Sequence, residues 1–130
     1  MKKTFAYAIA LLIFFHTQCF AEDTRKVVVH INEPEKFAML VRTINYMRTQ
    51  KENIRIHVVV NGPAVMRLTK DSGVVRELLA LTEWVGACSL AMSNNNVSVS
   101  SLSEGVMYIR ESGFVSLVNH QNDGYAYIKI

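Results

Sequence analysis

The sequence predicts an α/β protein with three layers, in which a mostly parallel five-stranded sheet carries helices on both faces. Short runs rich in β-branched residues alternate along the chain with stretches whose apolar residues recur at helical spacing. Strands that alternate with helices in this way imply right-handed crossovers and therefore a largely parallel sheet. The composition, 50% hydrophobic and 19% charged, lies in the ordinary globular range and suits one such domain.

The first half of the chain predicts two strands on either side of one helix. Residues 26–31 (KVVVHI) form a continuous β-branched run, and residues 32–34 (NEP) are typical of a helix start. Residues 54–60 (IRIHVVV) make the second strand, which a turn at residues 61–63 (NGP) ends. Between the strands, residues 35–52 predict a helix from their apolar spacing, namely Phe37, Leu40, Val41, Ile44 and Met47.

A second helix and a short third strand follow. Residues 73–85 predict a helix whose buried stripe comprises Val74, Val75, Leu78, Leu79 and Val85. Gly86 is expected to end this helix, because glycine is typical just beyond a helix C-terminus. Ala87 and Cys88 then begin or close the third strand.

The last third of the chain predicts the remaining two strands and one more helix. The Ser/Asn-rich residues 93–101 are expected to be irregular, and residues 106–109 (VMYI) form the fourth strand. Residues 111–122 make the last helix, with Gly124 as its C-terminal cap. Residues 125–129 (YAYIK) form the fifth strand.

The N-terminal residues 1–21 predict a secretory signal peptide. Two lysines precede an unbroken apolar run at residues 5–15, and small residues suit cleavage after Ala21. The run is shorter than the roughly 20 residues that a membrane-spanning helix needs, so no stable membrane anchor is expected. A lipid anchor on Cys19 is the alternative. We therefore expect a periplasmic protein in which residues 22–130 form a single domain.

Charge argues against nucleic acid as a partner. Removing residues 1–21 takes away two of the 14 Lys and Arg, which leaves 12 against 11 Asp and Glu, a net charge of +1. The remaining basic residues form no cluster that could follow a phosphate backbone. Nucleic acid binding is therefore not expected.

Motifs for cofactors and metals are missing from the sequence. The six glycines form no phosphate-binding cluster, so no nucleotide cofactor is predicted. His30, His57, His120 and Cys88 do not stand at a recognised metal-ligand spacing, and the first two lie inside predicted strands. We expect no cofactor and no metal.

Cys88 is the main candidate for chemistry. Ligand sites in parallel α/β sheets lie beyond the carboxyl ends of the strands, where the loops at Asn32, Asn61 and Gly62 would also emerge. Ser89 begins a segment that can form a helical turn, whose free N–H groups would stabilise a Cys88 thiolate. The alternative is that Cys88 packs as a small buried apolar group, as free cysteines often do.

Four segments together resemble the DsrE/DsrF-like proteins. They are residues 32–36 (NEPEK), residues 61–65 (NGPAV), Cys88 and residues 124–129 (GYAYIK), and they follow in order across residues 26–129. The resemblance implies a small parallel α/β fold that assembles into homotrimers or homohexamers. It also implies that, as in sulfur-relay members, Cys88 carries a persulfide.

Two functions remain open from the sequence. In the first, the protein is a periplasmic sulfur carrier in which Cys88 accepts sulfur from a donor and passes it to an acceptor. In the second, it is a non-catalytic oligomeric scaffold or small-ligand-binding module with an inert Cys88, whose ligand lies near Asn32, Asn61 and Gly62. Exposure of the Cys88 thiol is the property that separates the two.

Overall fold

The computed structural model describes residues 24–50, 53–70 and 72–130, so the signal peptide predicted for residues 1–21 lies outside the described residues. Within these ranges, five strands form one sheet: β1 (Arg25–Ile31), β2 (Ile54–Val60), β3 (Trp84–Cys88), β4 (Val106–Ile109) and β5 (Ala126–Lys129). The α-helices of the same ranges are α1 (Phe37–Gln50), α2 (Gly73–Leu81), α3 (Ser89–Asn94) and α4 (Gly113–Asn122). None of these helices is long and apolar enough to cross a membrane.

The sheet is parallel throughout, and its strand order explains the layers. The order is β4-β3-β2-β1-β5, and each neighbouring pair runs parallel. The first three connections move one strand at a time in the same direction, so right-handed crossovers place α1 to α3 on one face. The last connection returns from β4 at one edge to β5 at the other, which places α4 on the opposite face. The predicted three-layer α/β fold is therefore confirmed.

Alternation along the strands divides the core into two clusters. Val29 of β1 belongs to the larger cluster, together with Leu40 of α1 and Leu78 of α2. Its neighbour Val28 points to the other face and packs in the smaller cluster with Leu117 of α4. Successive side chains of a strand point to opposite faces, so one buried run serves both layers.

The prediction of a helix over residues 73–85 is wrong at its C-terminal end. α2 ends at Leu81, and Val85 and Gly86 lie within β3. Apolar spacing fits both structures in so short a run, but β3 is a central strand that pairs with β2 on one side and β4 on the other. Those two neighbours satisfy its backbone hydrogen bonds, and Gly86 therefore ends no helix. Cys88 closes the third strand.

The other elements differ from prediction mainly in detail. The turn at residues 61–63 opens a seven-residue 3₁₀ helix, Gly62–Leu68, and the region predicted as irregular holds the end of α3 and a 3₁₀ turn, Val99–Ser101. Gly124 follows α4 in the left-handed conformation (φ +86°), as expected of its capping glycine.

Candidate functional site

A cleft of about 380 Å³ lies at the carboxyl edge of the sheet. Asn32, Asn61, Gly62 and Cys88, four of the five site residues chosen from the sequence, line it together. The other lining residues are Pro63, Leu90, Ala91, Asn94, Asn95 and Phe114. No Lys, Arg, His, Asp or Glu is among these described lining residues, so the wall combines apolar side chains with asparagine amides and carries no formally charged group.

Strand register brings the sequence-distant residues together. Ile31 is level with Val60 in the sheet, and Val60 is level with Ala87. Asn32, Asn61 and Cys88 therefore each follow the same row of backbone, at the edge where parallel α/β sheets form their sites.

The Cys88 thiol is nearly sealed from solvent but hydrogen-bonded. The residue is 2% exposed, and its Sγ accepts a hydrogen bond from the Gly113 N–H at 3.1 Å. Gly113 is the first residue of α4, so this N–H is one of the donors at a helix N-terminus that have no partner within their own helix.

Ser89 takes a different position from the one expected. Its hydroxyl donates to the Arg110 carbonyl oxygen at 3.0 Å, and Ser89 is not among the residues that line the cleft. Within the described residues, the backbone donor to Cys88 Sγ is Gly113 rather than Ser89. The helix that faces the sulfur is thus α4, from the opposite layer of the fold.

Asn61 is a buried residue, and the two polar atoms of its side chain have different surroundings. It is 2% exposed, and its Nδ2 lies 2.9 Å from His30 Nε2. Its Oδ1 has no hydrogen-bond partner among the described residues, and the same holds for Asn32 Oδ1. Unsatisfied buried oxygens are uncommon in proteins, and the Asn61 oxygen is covered by the backbone of Gly113.

Gly113 touches both Cys88 and Asn61. A Cβ added at this position would overlap the side-chain amide of Asn61, so only glycine lets the two segments approach. Gly62 is constrained as well: it adopts φ +51°, and a Cβ there would lie 3.1 Å from the Asn32 carbonyl oxygen. That oxygen accepts the Ala64 N–H at 2.9 Å, which ties the β1 and β2 loops together.

His30 forms the layer behind Asn61. Its Nδ1 lies 2.9 Å from the Tyr127 hydroxyl on β5, while its Nε2 faces Asn61. Burial lowers the pKa of His30, and the positive charge of Lys129 lowers it further. A neutral imidazole donates through one ring nitrogen and accepts through the other, so His30 can link the Tyr127 hydroxyl and the Asn61 amide in one hydrogen-bonded row.

A second histidine cluster lies under α4, away from the cleft. His57 Nδ1 is 2.9 Å from His120 Nε2, and His120 Nδ1 is 2.7 Å from the Ser116 carbonyl oxygen. The Trp84 and Tyr125 rings pack against both imidazoles. Burial lowers the pKa of His57 to about 4, with His120 as the next contributor. The described residues contain no group of three or more His, Cys, Asp or Glu placed to hold a metal.

Sequence reasoning did not find Gly113 or Phe114. Both belong to the start of α4, which sequence patterns place at 111–122 without saying that this end of the helix reaches Cys88. The one local signal is Ser112, the N-cap of α4, which fixes where the helix begins.

Comparisons with known proteins give structural neighbours. No protein-family model and no curated protein matches the chain. The protein of unknown function MTH1491 from Methanobacterium thermoautotrophicum is 30% identical, with a TM-score of 0.74 over 82% of this chain and 99% of that one. The ychN protein of E. coli is 17% identical, with a TM-score of 0.67 over 82% and 99% of the two chains. BT1422 from Bacteroides thetaiotaomicron is 20% identical, with a TM-score of 0.60 over 81% and 94%.

These neighbours define the class of protein. MTH1491 and ychN have the DsrE-like fold, and the parallel sheet and layers described above agree with it. At 30% identity over nearly the whole of its relative, the chain belongs to the family of MTH1491.

Proposed function

We propose that this protein is a sulfur carrier in which Cys88 holds one sulfane sulfur atom as a persulfide. The observation that carries the proposal is the Gly113 N–H at 3.1 Å from Cys88 Sγ, inside a cleft with no charged lining residue. A helix N-terminus stabilises a thiolate, which is the form of Cys88 that attacks a sulfur donor. The resemblance to DsrE/DsrF-like proteins supports the same role.

The reaction is thiol exchange at sulfur and needs no external oxidant. The Cys88 thiolate attacks the outer sulfur of a donor persulfide, the donor's S–S bond breaks, and the donor thiolate leaves with the electron pair. An acceptor thiolate then attacks the outer sulfur on Cys88, and the Cys88 thiolate is the leaving group. Cys88 is the single cysteine beyond residue 21, so transfer must go to another molecule.

Mass spectrometry of the folded protein tests the carrier role. Incubation with a persulfide donor should add about 32 Da, the mass of one sulfur atom, to Cys88. Cys88→Ser should show no such gain. A wild-type protein that stays unmodified while a free cysteine peptide is persulfidated would contradict the proposal.

We also propose that the protein acts in the periplasm after removal of residues 1–21. The basic start, apolar run and small residues before the cleavage point support this location. Intact-mass measurement on protein recovered from the periplasm should give a chain that begins at Glu22. A chain that retains residues 1–21, or one that carries lipid on Cys19, would contradict it.

Burial of Cys88 favours a second candidate function, a non-catalytic homo-oligomer that binds a small ligand. Cys88 belongs to the larger apolar cluster, which is where an inert cysteine would lie. Iodoacetamide separates the two functions. A sulfur carrier should be alkylated at Cys88 in its native state, whereas an inert cysteine should react only after denaturant is added.

The outer side of α4 supports assembly into a homotrimer or homohexamer under either function. Val115 and Val118 are exposed there, and exposed apolar side chains of this kind support an interface. Light scattering should give a mass of three or six chains for the wild type. Val118→Asp should reduce that mass, while Asn119→Asp, the adjacent exposed control, should not. A monomeric wild type would contradict the assembly.

A further inference from the structure

His30 is a buried titratable residue that the sulfur-transfer steps do not use. It is 4% exposed and lies two residues after Val28, so the two side chains share the face of the sheet that α4 covers. Burying an imidazole costs free energy unless its two ring nitrogens find hydrogen-bond partners. The partners of His30 therefore indicate what this residue holds in place.

The two ring nitrogens of His30 face opposite parts of the fold. Its Nδ1 lies 2.9 Å from the Tyr127 hydroxyl on the edge strand β5. Its Nε2 lies 2.9 Å from Asn61 Nδ2, and the Asn32 side chain is also within hydrogen-bond reach of the ring. A neutral imidazole offers one donor and one acceptor, and hydroxyl and amide groups can pair with either. The row from Tyr127 to Asn61 can therefore form in both tautomers of His30.

The first turn of α4 rests on His30 and on its partner Asn61. The Phe114 ring stands edge-on to the imidazole, with the ring centroids 6.0 Å apart and an angle of 83° between the planes. The Asn61 side chain lies directly against Gly113, where a Cβ would overlap it. His30 thus contacts Phe114 itself and, through Asn61, supports Gly113, which donates its N–H to Cys88 Sγ.

The other end of α4 is held to the sheet by a separate contact. There, His120 Nε2 lies 2.9 Å from His57 Nδ1. His120 is seven residues beyond Gly113, which is about 10 Å along a helix. That contact fixes the far end of α4, so the first turn needs contacts of its own to stay over the cleft. His30 and Asn61 supply them.

We propose that His30 is a positioning residue for Cys88: it holds Asn61 and Phe114 in place and thereby keeps the Gly113 N–H on the sulfur. For its effect on sulfur exchange, the proposal rests on the sulfur-carrier function. The Cys88 thiolate is the leaving group when an acceptor takes the sulfur atom. An N–H held at hydrogen-bond distance stabilises the negative charge that develops on Sγ in that step.

Hydrogen exchange of the Gly113 N–H, followed by NMR on the full chain, tests the positioning without any sulfur transfer. His30→Leu removes both hydrogen-bonding nitrogens and keeps an apolar side chain. It should speed exchange at Gly113 about tenfold relative to exchange at Val58, a fully buried residue of the central strand β2. An equal increase at Gly113 and Val58 would mean that the substitution only lowers overall stability, and it would overturn the inference.

Milder variants keep the test decisive if His30→Leu does not fold. His30→Gln places an amide as many bonds from the backbone as imidazole Nε2, so it can still meet Asn61 and should keep Gly113 exchange within about twofold of the wild type. Tyr127→Phe removes the other partner of His30 and should speed Gly113 exchange about threefold. Tyr46→Phe, at an exposed tyrosine of α1, is the matched control and should leave it unchanged. Equal Gly113 exchange in Tyr127→Phe and Tyr46→Phe would overturn the inference.

Sulfur transfer is measured separately, so the two proposals fail in different ways. The wild type, His30→Gln and Tyr127→Phe are loaded at Cys88 from the persulfide of N-acetylcysteine, and the rate of sulfur loss to free N-acetylcysteine is compared. A rate about threefold lower in Tyr127→Phe, with His30→Gln close to the wild type, supports both proposals. Equal rates in all three proteins would keep the carrier function and overturn the positioning role. Faster Gly113 exchange in Tyr127→Phe, in a protein that Cys88 never loads, would keep the positioning of the N–H and overturn the carrier function.

Discussion

The Gly113 N–H donates a hydrogen bond to Cys88 Sγ at 3.1 Å and thereby joins the first turn of α4 to the last residue of β3. The two residues are 25 positions apart in the chain, and one belongs to a helix while the other belongs to the sheet. Gly113 also lies against the Asn61 side chain, so one residue without a side chain supports three parts of the cleft.

Gly113→Ala should destabilise the fold by about 1–3 kcal/mol, because the new methyl group overlaps the buried Asn61 amide. Gly73→Ala is the matched control, since no atom lies within 4 Å of a Cβ at that position in the first turn of α2. That substitution should be neutral or stabilise by up to about 1 kcal/mol. Urea unfolding of both variants measures the difference. Equal free energies of unfolding would show that the α4 contact with Asn61 is loose.

Arg48→Ala should lower the free energy of unfolding by about 2 kcal/mol. The Arg48 guanidinium donates to the Leu81 carbonyl oxygen (2.9 Å), the Ile54 carbonyl oxygen (2.6 Å) and Glu83 Oε1 (2.6 Å). It therefore fastens the end of α1 to the start of β2 and to the segment before β3.

The matched control for Arg48 is Arg42→Ala, an exposed arginine on the same helix. It should change stability by less than about 0.5 kcal/mol. Urea unfolding at neutral pH compares the two. A similar loss in both variants would mean that helix propensity, and not the carbonyl contacts, accounts for the effect of Arg48.

Stability should fall as the pH drops from about 6.5 towards 4. The folded pKa of His57 is lowered to about 4, below the unfolded value of 6.5, so the unfolded chain takes up a proton first. The contribution of neutral His57 is complete above pH 6.5, declines through this window and levels off below about 4. Because the ring is only half-buried, solvent screening should limit the loss to about 1–2 kcal/mol.

His57→Gln isolates that contribution. The variant should lose less stability between pH 7 and pH 4.5 than the wild type, since its side chain does not titrate in this range. Unfolding by urea, followed by circular dichroism at several pH values, measures both. Parallel curves for the two proteins would assign the pH dependence to His30 or to the acidic residues instead.

Gly86→Ala should shift the Trp84 ring and cost about 1–2 kcal/mol. A Cβ at residue 86 would overlap the indole and lie 2.7 Å from Ile109 Cδ1. Trp84 is the single tryptophan, so its fluorescence emission reports the shift directly. An unchanged emission maximum together with unchanged stability would show that the indole has room to move.

The spacing of apolar residues was sufficient to predict those strands whose bounds depend on the local sequence alone. Residues 54–60 and 106–109 have the predicted strand bounds, since a β-branched or aromatic run between turn signals leaves little choice. The helix predicted over 73–85 fails at its end because central pairing of β3 with two strands outweighs a spacing that fits either structure.

The cleft likewise contains some residues that the sequence could predict and others that it could not. Asn32, Asn61, Gly62 and Cys88 could be grouped from the sequence, because the ends of parallel strands meet at one edge. Gly113, Phe114 and the His30–Tyr127 contact could not, since they depend on where α4 and β5 lie after the chain crosses the whole sheet. Local sequence patterns carry no information on where these two elements lie in the fold.

The return of the chain from β4 to β5 also sets the order in which the protein can mature. Four strands and three helices are complete before Gly113 is made, but β5 must still pair with β1, the first strand, across most of the sequence. Pairing of such distant segments carries a large loop-closure entropy and slows folding. Until α4 docks, Cys88 Sγ lacks the N–H partner that Gly113 provides in the folded protein. The surroundings of the sulfur are therefore complete only after the last crossover has closed.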